Sequence, residues 1–265
     1  MNDRSQMADV QNMPDNREIE IDKVGVKNVK YPIIVLDRAN THQNTIATID
    51  MYVNLPQHYK GTHMSRFVEI LHEYKNMINM KNFPDILREM KTRLNAEAAH
   101  LCVVFPYFIK KVAPISGTQS YMEYQCGFRG TMDAEGTMKE FIVSASVPIN
   151  TLCPCSKEIS ERGAHNQRGV ARVDVNTKKF FWIEDLIDII EKCSSSDIYS
   201  ILKREDEKFI TEHAFDNPKF VEDVVRDIAE KLGKDANVRW FAIEAENFES
   251  IHNHSAYAYL ERKSK

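Results

Sequence analysis

Two cysteines, a proline and a histidine lie close together in the stretch TLCPCSKEISERGAHNQRG, residues 151–169. Cys153 and Cys155 flank Pro154, and His165 follows twelve residues after Cys153. This spacing is tighter than that of a zinc knuckle, and no second cysteine pair exists to complete a four-cysteine site. A thiolate, an imidazole and a distant carboxylate would instead leave one coordination position open, as catalytic metal sites do. The alternative is a loop with a buried thiol and a surface histidine.

A second cluster lies near the C-terminus, in the stretch ENFESIHNHSA from Glu246 to Ala256. Glu249, His252 and His254 fall within six residues of one another. On an extended segment both histidines would point to the same side. Such a pair can bind a metal, or one ring can transfer protons near neutral pH. The alternative is two solvated histidines in a turn.

A third group of candidates opens a predicted helix, in the stretch YKGTHMSRF, residues 59–67. Lys60, His63 and Arg66 cluster there near a helix N-terminus, where free backbone N–H groups and the helix dipole favour an anion. The alternative is an ordinary helix entry capped by Ser65.

Two acidic residues have ordinary explanations when residue type and spacing are considered alone. Glu222 precedes Arg226 by four residues, which is the spacing of a surface ion pair on a helix. Glu207 lies in the charge run KREDEKF, which is typical of a solvated helix face.

Composition excludes several classes of protein. The 265 residues are 43% hydrophobic and 28% charged, which is typical of one large or two small globular domains. A net charge of −4 favours neither nucleic acid nor an anionic membrane as a partner. The sequence has neither a membrane-length apolar run nor the apolar core of a signal peptide, so we expect a cytoplasmic protein. Its five cysteines are then expected to be reduced.

The order of predicted elements occurs twice along the chain. After a flexible arm over 1–24, the first set comprises strands 31–36 and 46–55, helices 65–77 and 84–95, and strands 98–112 and 119–132. After a turn at 133–136, the second set comprises strands 141–149 and 170–175, helices 182–192, 198–213 and 217–232, and strands 239–245 and 255–262. This order predicts an α+β fold of two ββααββ modules in tandem, 25–135 and 136–265, with antiparallel sheets backed by helices. Open sheet edges favour closure against another subunit.

Three stretches together resemble a known family. KGTHMSRF, TLCPCSKEIS followed by GAHNQRG, and FESIHNHSA are similar to motifs of GTP cyclohydrolase I of type IB, the prokaryotic form, over about residues 22–261. The resemblance implies a tunnelling fold (T-fold) of two modules and a homotetramer with active sites at subunit interfaces. It implies conversion of GTP and water to 7,8-dihydroneopterin triphosphate and formate, the first step of folate biosynthesis.

The resemblance also implies a divalent metal, which can be zinc, manganese or iron. By position in the motifs, Cys153 matches the essential cysteine and His165 the histidine of GAHNQR, while Glu207 matches an acidic residue of the family's metal site. The preferred metal ligands that the resemblance implies are Cys153, His165 and Glu207. Glu249, His252 and His254 match the C-terminal cluster around the metal. The exact set of ligands among these residues stays open.

Substrate contacts are carried over in the same way. Glu222 matches the residue that anchors guanine, where its carboxylate can accept hydrogen bonds from N1–H and the 2-amino group. Adenine has no such pair of donors. The candidates for binding the triphosphate are Lys60, Arg66, Arg168 and His63.

Two other functions remain open from the sequence. One is the NADPH-dependent nitrile reductase of the same superfamily, which forms a covalent thioimide on its cysteine. It would explain a reactive Cys153 but needs no metal set. The other is a non-catalytic, metal-binding oligomeric scaffold, for which Cys153→Ala would lose metal or assembly while nothing is turned over.

Overall fold

The structure is a computed structural model that describes residues 10–74 and 78–263. These residues form eight β-strands and six α-helices, which confirms the predicted α+β class. The strands are β1 Ile21–Asp37, β2 Thr41–Leu55, β3 Ala99–Val112, β4 Gln119–Met132, β5 Met138–Leu152, β6 Asn166–Thr177, β7 Val238–Asn247 and β8 Ala256–Lys263. The helices are α1 Met64–Tyr74, α2 Phe83–Arg93, α3 Pro154–Ile159, α4 Ile183–Glu191, α5 Arg204–Asp216 and α6 Val221–Lys234. The strands follow one another in the sheet in chain order, from β1 to β8.

The chain divides into two compact units. The first extends to Phe105 and includes Phe128–Phe141, and the second comprises Pro106–Gly127 and the chain from Ile142 onward. The tandem modules 25–135 and 136–265 stay a prediction. In the described part of the predicted arm 1–24, residues Val10–Asn12 form a single 3-10 turn, and β1 already begins at Ile21.

The core of the first unit is built by alternation along β2. Ile49, Met51, Val53 and Leu55 are buried, as the alternation along residues 46–55 of the sequence predicts for one face of a strand. Helices α1 and α2 contribute apolar stripes, and the ring of Phe83 lies edge-on to that of Phe141 at 5.0 Å. Full burial of each such side chain stabilises the fold by about 1.5–3 kcal/mol.

The core of the second unit holds the strands that carry the Cys153 loop. Buried side chains alternate along β6 and β7, and α6 packs against β7 and β8. The apolar stripe of α6 is fully buried at Val224, Ile228 and Leu232. The end of the β5–β6 hairpin therefore projects from a packed layer and not from a mobile loop.

Several predicted boundaries were wrong. Helix α5 begins at Arg204 and not at 198, because Asp206 caps it there by accepting the Lys203 N–H. Helix α6 is preceded by Phe220, so Asn217 is not its cap, and the helix continues past Gly233. The short helix α3 was not predicted, and α1 starts at Met64, so Ser65 lies inside it. Residues 75–77 of the predicted helix 65–77 lie outside the described residues.

Among the helices of the described residues, none combines the length and the apolar character that crossing a membrane requires.

Asp206 joins the start of α5 to the turn between β3 and β4. Its side chain is fully buried, and its carboxylate accepts hydrogen bonds from the N–H groups of Ile115 and Ser116, both at 2.9 Å. The hydroxyl of Ser116 and the N–H of Lys203 donate to the other carboxylate oxygen at 2.6 and 2.8 Å. Burial acts to raise the pKa of Asp206, but these donors outweigh it and hold that pKa well below the usual range.

We predict that Asp206→Asn lowers the thermal midpoint of unfolding at pH 7 by several degrees, because an amide presents donors where the carboxylate accepts. The control is Glu205→Gln, which removes an exposed charge from the same helical turn. A depressed native pKa stabilises the fold above the ordinary value of about 3.9, and this contribution is lost as the pH falls below it. The difference in thermal midpoint between wild type and Asp206→Asn should therefore become smaller below about pH 4. A gap that is constant with pH, or an equal loss in the control, would contradict the assignment.

Candidate active site

The thiol of Cys153 and the ring of His165 are brought together by the end of the β5–β6 hairpin. The last residue pair of the ladder is Leu152 with Asn166, and beyond it the Cys153 N–H donates to the His165 carbonyl at 3.0 Å. The loop between them turns back at Gly163, whose φ of +126° strains any residue with a Cβ. The chain therefore leaves and re-enters the sheet at adjacent positions.

Ser156 fixes the two ends of this loop. Cys153 is the residue before α3, and its Sγ accepts the Ser156 N–H at 3.4 Å, while Pro154 occupies the first helical turn. The Ser156 hydroxyl donates to the Cys153 carbonyl at 3.1 Å and accepts the His165 N–H at 3.2 Å. One serine thus contacts both candidate ligands.

The orientation of His165 is set by Gln167. The Nδ1 atom of His165 lies 3.0 Å from Oε1 of Gln167, and the Gln167 amide donates to the Thr151 hydroxyl at 3.0 Å. Since Oε1 can only accept, this contact selects the tautomer with a proton on Nδ1 and leaves the Nε2 lone pair available. Ser250 also lies near Nδ1, with its Oγ at 3.3 Å.

The C-terminal cluster reaches the same region through the end of β7. Asn247 pairs with Gly169, and the Phe248 N–H donates to the Arg168 carbonyl at 2.8 Å. A Cβ on Gly169 would come within 2.5 Å of the Glu246 carbonyl oxygen, so only glycine allows this close approach. Because β6 and β7 stay in register as far as the pair Gly169–Asn247, the residues that follow Asn247 lie beside the Cys153 loop.

The rings of the two histidines of this cluster lie side by side, although no extended strand carries them. They lie in bends between β7 and β8, yet the rings of His252 and His254 stack with centroids 5.1 Å apart and an angle of 14° between planes. Both side chains are exposed, and Glu249 beside them is half-buried. The two rings therefore lie side by side on a bent backbone, without the extended segment that the sequence analysis considered.

A cleft of about 310 Å³ contains both groups. Six of the residues that the sequence singled out line it: Cys153, His165, Glu222, Glu249, His252 and His254. The lining also includes four polar residues that were not predicted: Gln167, Lys219, Asn247 and Tyr257. Of these, Gln167 carried a usable signal, since it lies two residues after His165 in a strand and alternation places both on one side.

Glu222 projects into the cleft from the first turn of α6. The surface ion pair suggested by its spacing from Arg226 is absent from the described contacts, because Arg226 donates to Asp223 at 3.3 Å instead. Lys219, three residues earlier, lines the same cleft and pairs with Asp227. The cleft therefore holds an exposed carboxylate at a helix start together with a thiol and three imidazoles.

The structure does not bring Glu207 into this cleft. It lies on the exposed face of α5, because the neighbouring Asp206 occupies the buried position of that turn. Within the described residues, no three histidine, cysteine or acidic side chains are arranged to hold a metal ion. The predicted trio of Cys153, His165 and Glu207 is therefore not assembled in one chain.

The candidate triphosphate ligands also lie outside the residues that line the cleft. Arg168 is exposed on β6 and alternates with the buried Gln167. Lys60, His63 and Arg66 belong to the first unit, at the entry to α1, where Lys60 is exposed. The guanidinium of Arg66 donates to the Arg93 carbonyl at 2.8 Å, which gives it a structural partner.

Comparison with known proteins assigns the family. A family model described as type I GTP cyclohydrolase folE2 matches residues 7–258. The chain belongs to this family. GTP cyclohydrolase FolE2 of Syntrophotalea carbinolica is 57% identical over 255 residues, covering 96% of this chain and 95% of that protein. The FolE2 protein of Syntrophobacter fumaroxidans is 56% identical over 256 residues, covering 97% and 99%. The expectation of a type I GTP cyclohydrolase is confirmed.

Solved structures that resemble this folE2-family chain share its fold at very low identity. Uricase from Arthrobacter globiformis superposes with a TM-score of 0.52 at 6% identity, covering 91% of this chain and 93% of the uricase. Urate oxidase from Bacillus subtilis gives 0.53 at 8% identity, covering 91% and 98%. This likeness concerns the fold alone.

We predict that Gln167→Ala lowers kcat/KM for GTP by about tenfold, because the His165 ring loses the contact that orients it. Gln167→Glu is the matched variant, because its carboxylate still accepts from Nδ1–H and the Thr151 hydroxyl can donate to it. The variants should separate in steady-state kinetics, with the glutamate variant close to wild type. Equal losses in both would show that Gln167 acts only by packing.

Proposed function

We propose that this cleft hydrolyses GTP at C8 to give 7,8-dihydroneopterin triphosphate and formate, the first step of folate biosynthesis. Membership of the type I GTP cyclohydrolase folE2 family supports the reaction. The observation that carries the site is the convergence of Cys153, His165, Glu222 and the Glu249–His254 cluster on one cleft. We further propose that the chain is of subtype IB, has the tunnelling fold with two modules, and works in the cytoplasm.

Glu222 is proposed to bind guanine. Its carboxylate lies in the cleft without the Arg226 partner that its spacing suggested, so both oxygens can accept from N1–H and the 2-amino group. Adenine offers no matching pair of donors, and the carboxylate would lose its hydrogen bonds with ATP.

A divalent metal, zinc, manganese or iron, is proposed as the cofactor. The donor types fit, since Cys153 supplies a thiolate and His165 an Nε2 lone pair whose ring is held by Gln167. When bound, such an ion supplies the Lewis acidity that activates water near neutral pH. Nitrogen and oxygen ligands beside a single thiolate suit manganese and iron as well as zinc.

A homotetramer with active sites at subunit interfaces is proposed to complete the site. One chain lacks a third ligand arranged beside Cys153 and His165 within the described residues, while Glu207 is exposed on α5. In such an assembly Glu207 would serve the cleft of a neighbouring copy. Lys60, His63, Arg66 and Arg168 would likewise bind the triphosphate across an interface.

The remaining side chains have roles in proton transfer. His252 or His254 protonates N7 of the purine and later assists the departure of formate, because a histidine can carry a proton near neutral pH. Glu249 orients or deprotonates the water that attacks C8. The stacked rings of His252 and His254 both line the cleft, which supports a role for either one.

The activity is tested by removing metal from the protein and refilling separate samples with zinc, manganese or iron. We expect GTP to yield formate without NADPH, and a pterin that fluoresces after oxidation, with more than one metal. Metal-free protein and Cys153→Ser should give neither product.

Turnover that requires NADPH would favour the nitrile reductase, and absence of product from metallated wild type would favour the scaffold. Activity with zinc alone would contradict the broad metal choice. Neither alternative function gains support from the family match.

We predict that Glu222→Gln raises KM for GTP by at least about tenfold, because the amide turns one acceptor into a donor facing N–H groups. Glu230→Gln is the control, since it removes an exposed carboxylate from the same helix, where Glu230 pairs with Lys234. Steady-state kinetics would refute guanine binding by Glu222 if both variants kept the wild-type KM.

A further inference from the structure

A short run of serines, Ser194–Ser196, is buried behind the cleft. The three residues follow α4 and are 4%, 0% and 3% exposed. Burying a hydroxyl is unfavourable unless it is hydrogen-bonded, so each serine needs a partner. Their partners include residues of strand β5, which leads to Cys153, and Asn217 in the connection between α5 and α6, which leads to Glu222.

The serine run holds the end of β5. The Ser195 N–H donates to the Asn150 carbonyl at 2.9 Å, and the Leu152 N–H donates to the Ser195 hydroxyl oxygen at 3.0 Å. The Asn150 amide donates to the Ser196 hydroxyl at 2.8 Å. Leu152 directly precedes Cys153, so these bonds fix the point from which the thiol projects.

The same run holds the connection between α5 and α6. The Asn217 amide donates to the carbonyls of Ser194 and Ser195 at 3.0 and 3.2 Å. Two residues later, the Lys219 N–H donates to the Leu152 carbonyl at 3.0 Å. Lys219 and Glu222 line the cleft, so the strand end that carries Cys153 and the segment that carries Glu222 share one set of bonds.

We propose that Ser195 is a positioning residue that sets the placement of Cys153 relative to Glu222. It bonds Leu152 through its hydroxyl and Asn217 through its carbonyl, and so joins the two sides of the cleft. Hydrolysis at C8 requires guanine held at Glu222 to meet the groups at Cys153, and a misplacement of about 1 Å can lower a rate by about a hundredfold. The proposal rests on the proposed function only for naming this reaction.

Ser194 provides a matched control one residue away. It is also buried, but its hydroxyl donates to the carbonyls of Glu191 and Ser196, at 2.7 and 2.9 Å. Neither bond reaches β5 or Asn217. Ser194→Ala and Ser195→Ala therefore delete the same group from the same buried run, and only Ser195→Ala releases the Leu152 N–H.

The kinetic test compares these two variants at equal folded fraction, set from thermal melts. Ser195→Ala is expected to lower kcat for GTP by about tenfold while KM stays within about twofold, because guanine binding at Glu222 keeps its own contacts. Ser194→Ala is expected to keep kcat within about twofold. Equal losses of kcat in the two variants, or an unchanged kcat in Ser195→Ala, would overturn the proposal.

A second readout requires no turnover and so separates this proposal from the proposed function. Iodoacetamide alkylation of Cys153, measured by mass spectrometry on the full chain, is expected to be faster by at least about twofold in Ser195→Ala than in Ser194→Ala. The exposed Cys155 is an internal reference whose rate should not change. Wild-type rates at Cys153 in Ser195→Ala would overturn the proposal even in an active enzyme.

Asn217→Ala provides the test if Ser195→Ala does not fold. It removes both donations to the serine run and is expected to lower kcat with little change in KM. If both variants fold, the double variant should lose less than the product of the single losses, because the two residues act through one set of bonds. Wild-type kcat in Asn217→Ala, or independent losses in the double variant, would count against the proposal.

Discussion

The hydrogen bond from the Cys153 N–H to the His165 carbonyl is the constraint on which the site depends. It extends the β5–β6 ladder by one step, past the last pair of Leu152 and Asn166, and closes the loop between the two residues. Together with the two bonds of the Ser156 hydroxyl, it fixes the relation of a thiol and an imidazole that lie twelve residues apart in the chain. With it, both side chains start from adjacent points at the end of a packed sheet.

In the cleft, the groups proposed to act on GTP differ from the groups that hold them in position. The groups proposed to act on GTP are exposed or half-buried, while the groups that orient them are mostly buried amides and hydroxyls. Gln167 holds the His165 ring, Thr151 holds Gln167, and Ser195 holds the strand end before Cys153. Because buried polar groups are stable only when they are hydrogen-bonded, these supports favour a single geometry.

The sequence predicted the elements of the fold better than their ends. Alternation in β2, β6 and β7 and the apolar stripe of α6 are strong periodic signals, since each buries one face. The start of α5 was missed because its capping residue, Asp206, lies within a run of charged residues, and its burial depends on Ser116, ninety residues earlier in the chain. Asn217 was read as a helix cap by residue type, although its amide bonds the carbonyls of the serine run. Such long-range partners leave no local pattern.

The residues of the site divide in the same way, into those that a local sequence pattern identifies and those that it does not. Motifs identified five of the cleft residues because their types carry recognisable chemistry: Cys153, His165, Glu249, His252 and His254. The family resemblance alone added Glu222. Gln167, Lys219 and Asn247 were missed, since an amide or a lone lysine is common anywhere on a protein. Glu207 was predicted from the family resemblance and lies on an exposed helix face outside the cleft. That position is consistent with the proposed interfacial site, which one chain's sequence pattern does not reveal.

The most direct test is a crystal structure of the metal-loaded protein with a guanine nucleotide bound. The account predicts Cys153 Sγ and His165 Nε2 within about 2.0–2.4 Å of one ion, and the guanine N1–H and 2-amino group on the Glu222 carboxylate. An ion held without Cys153 and His165, or a guanine bound away from Glu222, would contradict it.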